Sequence, residues 1–138
     1  MSRSPTLDVI LRSGSAAWNA LRKSGTAPLD HTGATMTQLF CADADLSGVS
    51  LVGTEWDNCE LNGIDFRNAD LTNAYFHHCR IRDCRFEAAK LANASFEKLR
   101  LVRCSFVGAE GLDSLELEEA DMDDVEGLEE AMLDDDEE

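Results

Sequence analysis

Residues 69–96 read ADLTNAYFHHCRIRDCRFEAAKLANASF, and from Leu71 onward every fifth residue in this stretch is large and apolar. Two positions before each of these residues stands an alanine or a cysteine. A period of five matches neither the 3.6-residue turn of an α-helix nor the two-residue alternation of a flat strand. The two apolar positions are two residues apart, so both point to the same side of a short extended segment. The rest of each unit must then turn the chain.

The same spacing continues on both sides of this stretch. Between residues 46 and 106, thirteen successive positions at this five-residue spacing all hold a large apolar residue. A weaker frame extends upstream through units centred on His31, Met36 and Cys41. Sixteen units therefore cover residues 29–108. Gly, Asn and Ser are frequent at the turning positions, as turn chemistry favours. Repeated turning with one face always inward predicts a coil around a packed interior.

These units resemble the pentapeptide-repeat family, whose unit reads A-(D/N)-L-x-x. ADLSG (44–48) and ADLTN (69–73) match this unit, and AKLAN (89–93) nearly matches it. The resemblance implies an all-β solenoid, a right-handed quadrilateral β-helix with four units per coil. Stacked positions then lie twenty residues apart, and we expect about four to five coils.

A twenty-residue coil also agrees with the order of the apolar side chains. Aromatic residues are predicted to stack on two opposite faces, with leucine and isoleucine on the two faces between them. One aromatic face would contain Leu46, Phe66, Phe86 and Phe106, and the other Met36, Trp56, Phe76 and Phe96. Like residues would form ladders along the axis, which suits a filled square core.

The segment HHCRIRDC (77–84) contains residue types that bind zinc. The five-residue frame separates them, because Cys79 and Cys84 occupy inward positions while His77 and His78 fall on the outward turn. We therefore predict buried thiols, with no metal and no cofactor. Five cysteines, an odd number, do not indicate a secreted disulfide framework, and we expect a cytoplasmic protein with reduced thiols.

The stack of coils would expose open strand edges that need caps. An amphipathic helix is predicted over residues 6–24, with Thr6 as its N-cap and Gly25 ending it. Its apolar stripe contains Leu7, Leu11, Gly14, Trp18 and Leu21. A similar L-x-x-G-x-x-x-W-N segment precedes the repeats in many bacterial members of the family. Residues 1–28 are thus predicted to form a capping helix and linker; a membrane-docking helix is the alternative, although only three basic residues flank it.

Beyond residue 108 the frame slips by about one residue and then resumes as LELEE, ADMDD and VEGLE. We predict an acidic final coil over residues 109–128, with a helix or a disordered segment as the alternatives. Residues 129–138 are predicted to be an acidic C-terminal tail.

The net charge of −16 is confined to one end of the chain. Residues 1–108 contain twelve acidic and twelve basic residues, whereas residues 109–138 contain sixteen acidic residues and neither Lys nor Arg. Two candidate interaction patches follow. The basic patch consists of Arg80, Arg82, Arg85, Arg100 and Arg103, and the acidic patch consists of Glu116, Glu118, Glu119, Asp121, Asp123, Asp124 and Glu126. The basic patch is either an ordinary solvated surface or a docking surface for an acidic partner.

The sequence contains no pattern typical of catalysis, such as a phosphate-binding glycine loop or a nucleophile with its base. We predict a non-catalytic protein–protein interaction module or scaffold, with self-association through its complementary charge zones. Direct nucleic-acid binding is not expected, because Tyr75 is the one aromatic residue predicted near the arginines at the surface. No segment has the length and apolarity of a membrane span, and no membrane partner is expected.

The family resemblance implies an alternative function. Some pentapeptide-repeat proteins mimic DNA in shape and charge, bind type II topoisomerases such as gyrase, and protect them from inhibitors. The charge distribution disfavours this alternative, because residues 1–108, which include the first four coils, are neutral in sum. Five coils at about 4.8 Å each would also span only about 24 Å, the length of about seven base pairs.

Overall fold

The computed structural model describes residues 7–12 and 14–128. Two short helices precede a right-handed quadrilateral β-helix made of three-residue strands. The helices are α1 (Leu7–Arg12) and α2 (Ser15–Ser24). The strands are β1 (Thr35–Thr37), β2 (Phe40–Ala42), β3 (Glu55–Asp57), β4 (Glu60–Asn62), β5 (Tyr75–His77), β6 (Arg80–Arg82), β7 (Ser95–Glu97), β8 (Arg100–Val102), β9 (Glu116–Glu118) and β10 (Asp121–Asp123). A 3₁₀ turn at Leu112–Ser114 precedes β9.

The strands form two parallel five-stranded sheets, which are two of the four walls of the β-helix. Wall 1 has the order β1-β3-β5-β7-β9, and wall 2 has the order β2-β4-β6-β8-β10. Single β-bridges connect the coils on the other two walls, for example Asp65 with Arg85 on wall 3 and Asp70 with Lys90 on wall 4. We number the coils 1 to 5 over residues 29–48, 49–68, 69–88, 89–108 and 109–128.

The register confirms the predicted twenty-residue coil, since Trp56 pairs with Phe76 and Leu61 with Ile81. The aromatic side chains stack as the sequence predicts. Ring centroids lie 4.7 Å apart for Phe66 and Phe86, and the Phe86 ring stacks in the same way on the next coil. Across the core Phe66 contacts Phe76 edge to face at 6.4 Å. Each such pair adds about 0.5–1.5 kcal/mol beyond the burial of its surface.

All five cysteines are free and buried. The Cys79 thiol donates a hydrogen bond to the Trp56 carbonyl (3.2 Å). His77 faces outward from strand β5, and His78 is exposed at the bend that follows it. Burial raises the pKa of the Cys84 thiol and, to about 11, that of Cys41. The thiols of Cys84 and Cys41 are therefore protonated at neutral pH and are poor nucleophiles. Within residues 7–12 and 14–128, His, Cys, Asp and Glu form no group of three or more that is arranged to hold a metal ion.

The N-terminal cap contains two helices, so the prediction of one continuous helix over residues 6–24 is wrong. The chain breaks into two helices because Gly14 adopts φ 113°, a conformation outside any helix. The predicted N-cap, Thr6, lies outside the described residues. Leu7, Leu11 and Trp18 are buried as the apolar stripe predicts.

Side-chain hydrogen bonds hold α2 to the edge of coil 1. Trp18 Nε1 donates to the Asp45 carbonyl (2.6 Å), and the Asn19 side chain donates to the Asp43 carbonyl (2.9 Å). The Trp18 ring also contacts the buried His31 edge to face at 5.7 Å. The helices thus cover the edge of the sheet that would otherwise be open.

The stacking separation between coils 4 and 5 increases by one residue after Glu110, which still pairs with Lys90. Ser95 pairs with Glu116 and Arg100 with Asp121, a separation of 21 instead of 20 residues. The 3₁₀ turn at Leu112–Ser114 accommodates the additional residue. Leu117, Met122 and Val125 point inward but are only partly buried. The predicted acidic tail, residues 129–138, lies outside the described residues.

Two glycines allow coil 5 to pack closely on coil 4. A β-carbon on Gly111 would lie 2.6 Å from the backbone of Ala92, and one on Gly127 would lie 2.5 Å from the backbone of Phe106. Both glycines also have positive φ. Another residue at either position would push the coils apart.

We expect Gly111→Ala, in coil 5, to lower the free energy of unfolding more than Gly53→Ala, in coil 2. Both glycines have positive φ, 77° and 67°, so both substitutions introduce backbone strain of about 1–2 kcal/mol. Only the Gly111 substitution adds a backbone collision, which costs about 1–3 kcal/mol more. Urea unfolding measures the difference in the free energy of unfolding, and hydrogen exchange shows whether the amides of residues 116–123 lose protection first. Equal losses would contradict this account of the packing.

Candidate interaction surface

The outer walls carry the exposed polar side chains, because the interior is filled by stacked apolar residues. In a parallel in-register stack, equivalent outward residues of successive coils lie about 4.8 Å apart and form columns along the axis. The charge and polarity of each part of the surface therefore depend on which residues share a column. Three surface grooves, of about 570, 360 and 270 Å³, lie on the outside of the fold.

Wall 1 is acidic. Its strands carry five outward carboxylates and neither Lys nor Arg: Glu55, Asp57, Glu97, Glu116 and Glu118. The outward residues of β1 are threonines, and those of β5 are Tyr75 and His77. Acidic residues on wall 1 thus occur in coils 2, 4 and 5.

Tyr75 and His77 link the carboxylates of wall 1 into a network. The Tyr75 hydroxyl donates to Glu97, while His77 Nδ1 lies 3.1 Å from Asp57 and Nε2 lies 3.8 Å from Glu97. The hydrogen bond to Glu97 raises the pKa of Tyr75 to about 12 and, from the other side, lowers the pKa of the Glu97 carboxyl. The Tyr75 ring stacks on the imidazole of His77 at 5.3 Å. The 270 Å³ groove lies beside this network.

Wall 2 has a different order of charge along the axis. Its first outward column contains Phe40, Glu60, Arg80, Arg100 and Asp121, and its second contains Ala42, Asn62, Arg82, Val102 and Asp123. Arg80 Nη1 lies 3.5 Å from Glu60, and Arg100 Nη1 lies 2.7 Å from Asp121. The basic residues therefore occupy the middle of the wall, between carboxylates of the neighbouring coils.

The structure brings together only part of the predicted basic patch. Arg80, Arg82 and Arg100 share wall 2, whereas Arg85 belongs to wall 3 and pairs with Glu87 through two nitrogens, at 3.1 and 3.3 Å. Arg103 lies at the corner after wall 2 and pairs with Asp83 at 2.7 and 3.0 Å. Asp83 and Arg103 are twenty residues apart in the sequence, a spacing that would have indicated this pair.

The predicted acidic patch surrounds coil 5 and does not form a single surface. All seven residues are exposed. They are Glu116 and Glu118 on wall 1, Asp121 and Asp123 on wall 2, Glu126 on wall 3, and Glu119 and Asp124 at the corners. The residues on wall 1 continue its acidic face, whereas Asp121 pairs with Arg100.

Sequence reasoning missed Phe40 as a surface residue. Its side chain is 71% exposed at the first outward position of wall 2. The five-residue frame does place position 40 outward, next to the inward Cys41, so an apolar residue there was a usable signal.

No helix among the described residues is long and apolar enough to cross a membrane.

Comparison with known proteins identifies the same repeat and the same fold. Residues 57–87 match the family model for pentapeptide repeats, in 8 copies. The chain is similar to the solved structure of QnrB1, a plasmid-mediated fluoroquinolone resistance protein, with 24% identity and a TM-score of 0.62. This match covers 64% of the chain but only 46% of the QnrB1 structure. The likeness concerns the fold.

A second solved structure is a pentapeptide repeat protein from the cyanobacterium Cyanothece 51142. It is 14% identical, with a TM-score of 0.35, over 79% of this chain and 95% of that one. No curated protein matches the chain significantly.

The single tyrosine of the chain gives a direct test of the wall 1 network. Spectrophotometric titration of Tyr75 should show a midpoint near pH 12, and Glu97→Gln should return it towards the ordinary value of about 10. Because the folded-state pKa is raised, the hydrogen bond stabilises the fold fully below about pH 10, and this stabilisation is lost as the pH rises to about 12. A midpoint near 10 in the unmodified protein would contradict the network.

Proposed function

Since this chain belongs to the pentapeptide-repeat family, we propose that it is a non-catalytic protein–protein interaction module. It acts as a short rod that presents a different charge pattern on each wall to a protein partner. The observation that carries the proposal is the contrast between wall 1, with five carboxylates and no Lys or Arg on its strands, and wall 2, with its basic middle.

The rigidity of the surface supports this function. Each outward side chain is attached to a strand or turn whose backbone is hydrogen-bonded to the next coil, as where the Phe86 amide donates to the Ser105 carbonyl at 2.7 Å. A surface held in one arrangement loses little conformational entropy when a partner binds. Ordered charge columns then give specificity and fast association.

The absence of catalysis is part of the proposal. The buried nucleophilic groups are thiols, and those of Cys84 and Cys104 have pKa values raised by burial. The carboxylates of the coils and the imidazoles of His77 and His78 lie on the outer surface, where water screens their interactions. General acid–base catalysis needs such groups in a cleft that also holds the substrate.

Charge-specific binding is testable with matched variants. The immobilised chain is used to capture a partner protein, which is then purified. A partner that uses wall 1 should bind a Glu55→Gln/Glu116→Gln variant about tenfold more weakly than the unmodified chain. A partner that uses wall 2 should instead bind an Arg82→Gln variant more weakly. The control is Glu110→Gln, an exposed carboxylate of wall 4. Self-association of the chain is tested with the same variants, by sedimentation at low and high salt. Equal losses for every variant, or no partner that binds in the micromolar range, would contradict the proposal.

A second candidate is binding to a type II topoisomerase as a DNA mimic. The acidic wall 1 favours it, since its carboxylates recur along the axis in coils 2, 4 and 5. The basic middle of wall 2 and the length of about 24 Å disfavour it. Fluoroquinolone resistance is a property of QnrB1, and this chain shares the QnrB1 fold at 24% identity.

A gyrase supercoiling assay separates the two candidates. A DNA mimic restores supercoiling in the presence of a fluoroquinolone, and Glu55→Gln/Glu97→Gln abolishes this effect while Glu110→Gln does not. No effect at micromolar excess of the unmodified protein eliminates the second candidate and leaves the first unchanged.

A further inference from the structure

A groove of about 570 Å³ follows the corner between walls 1 and 2. One side is the first outward column of wall 2, which begins at Phe40 and includes Arg80 and Arg100. The other side is the corner itself, where Asn58, His78, Lys98 and Glu119 all have φ between 55° and 58°. Along this groove an apolar end at coil 1 is followed by Glu60 at coil 2, by cationic side chains at coils 3 and 4 and by carboxylates at coil 5.

Arg80 and Arg100 are directly opposite each other on adjacent strands. Like charges in this position repel and destabilise a sheet. Each arginine instead reaches away from the other, Arg80 towards Glu60 and Arg100 towards Asp121. The space between the two guanidinium groups is therefore positively charged on both sides.

The two arginines also keep hydrogen-bond donors available. Arg67, Arg85 and Arg103 each contact a carboxylate through two guanidinium nitrogens. Arg100 donates one hydrogen bond to a carboxylate, from Nη1 to Asp121, and Arg80 is held more loosely, with Nη1 3.5 Å from Glu60. A guanidinium group has five N–H donors and is suited to two-point contact with a carboxylate. An additional carboxylate would thus find unused donors here.

Lys98 adds a third cation at the same level of the groove. It precedes Arg100 by two residues and lies at the corner with φ 57°. In the described part of the chain, no carboxylate oxygen lies within 4.0 Å of its ammonium group. An ammonium without a partner, beside two arginines with unused donors, favours an anionic ligand from outside.

Phe40 provides an apolar contact at the opposite end. A phenyl ring that is 71% exposed loses water contact when it packs against a ligand, and such aromatic residues are common anchors in interfaces. Phe40 lies two strands from Arg80 and three from Arg100. At about 4.8 Å per strand, the cations are centred about 12 Å from the ring, which an extended peptide covers in about four residues.

We propose that this groove binds an acidic peptide segment of a partner protein, with an apolar residue on Phe40 and, about four residues away, carboxylates between Arg80, Lys98 and Arg100. The inference rests on the proposed interaction function and specifies the chemistry of one partner. The segment between the two anchors is uncharged, because it passes Glu60.

The test uses the full chain and a fluorescently labelled peptide with the sequence Leu-Ser-Gly-Ser-Glu-Glu. We expect saturable binding that weakens as salt is added. Arg80→Gln/Arg100→Gln should weaken it about tenfold and Phe40→Ser about fivefold, while Arg85→Gln, an arginine of wall 3, should change it less than about twofold. Replacing both glutamates of the peptide by glutamine, or its leucine by serine, should reproduce the corresponding losses.

Three results would overturn the proposal. They are no binding at millimolar peptide, the same loss for Arg85→Gln as for the groove variants, and tighter binding after Asp134, Asp135 and Asp136 are changed to Asn. The last result would assign the groove to the acidic end of the same chain. A partner whose binding depends on wall 1 would still support the interaction function, so failure of the peptide test and failure of that function are distinguishable.

Discussion

The in-register stacking of identical coils is the constraint on which the rest of this structure depends. Each coil forms backbone hydrogen bonds with its neighbours, and each inward residue of coils 1 to 4 rests on the residue twenty positions away. Stacked rings such as Phe66 and Phe86 fill the square interior at 4.7 Å. A residue of another size or polarity at these positions disturbs the coil above and the coil below. The five-residue period is therefore strict.

The same constraint organises the outside of the molecule. Since outward residues form columns, a charge must find an opposite charge one coil away or repel its neighbour. The ion pair between Asp83 and Arg103 joins opposite charges one coil apart. Arg80 pairs with Glu60 and Arg100 with Asp121, yet the two arginines remain adjacent to each other in one column. Two adjacent cations in one column attract an anionic ligand, which supports the binding of an acidic peptide in the groove.

The two ends show how a repeating stack is terminated. At the N-terminal end, Trp18 and Asn19 satisfy backbone groups of coil 1 that have no preceding coil to pair with. At the C-terminal end, a 3₁₀ turn adds one residue and changes the separation from 20 to 21 without changing the columns. Arg100 can therefore still pair with Asp121. The acidic coil 5 is attached to the most basic part of the chain.

The sequence alone determined the fold, because a period of five fixes which residues face inward, and a buried Phe86 or Cys79 has no other place in such a coil. It also indicated the acidic end and the outward direction of His77 and His78. Only the tertiary structure decided the rest. The break in the N-terminal helix depends on the φ of 113° that Gly14 adopts. The difference between walls 1 and 2 depends on which quarter of each coil a residue occupies, and the choice of ion pairs depends on side-chain geometry that a linear pattern does not contain.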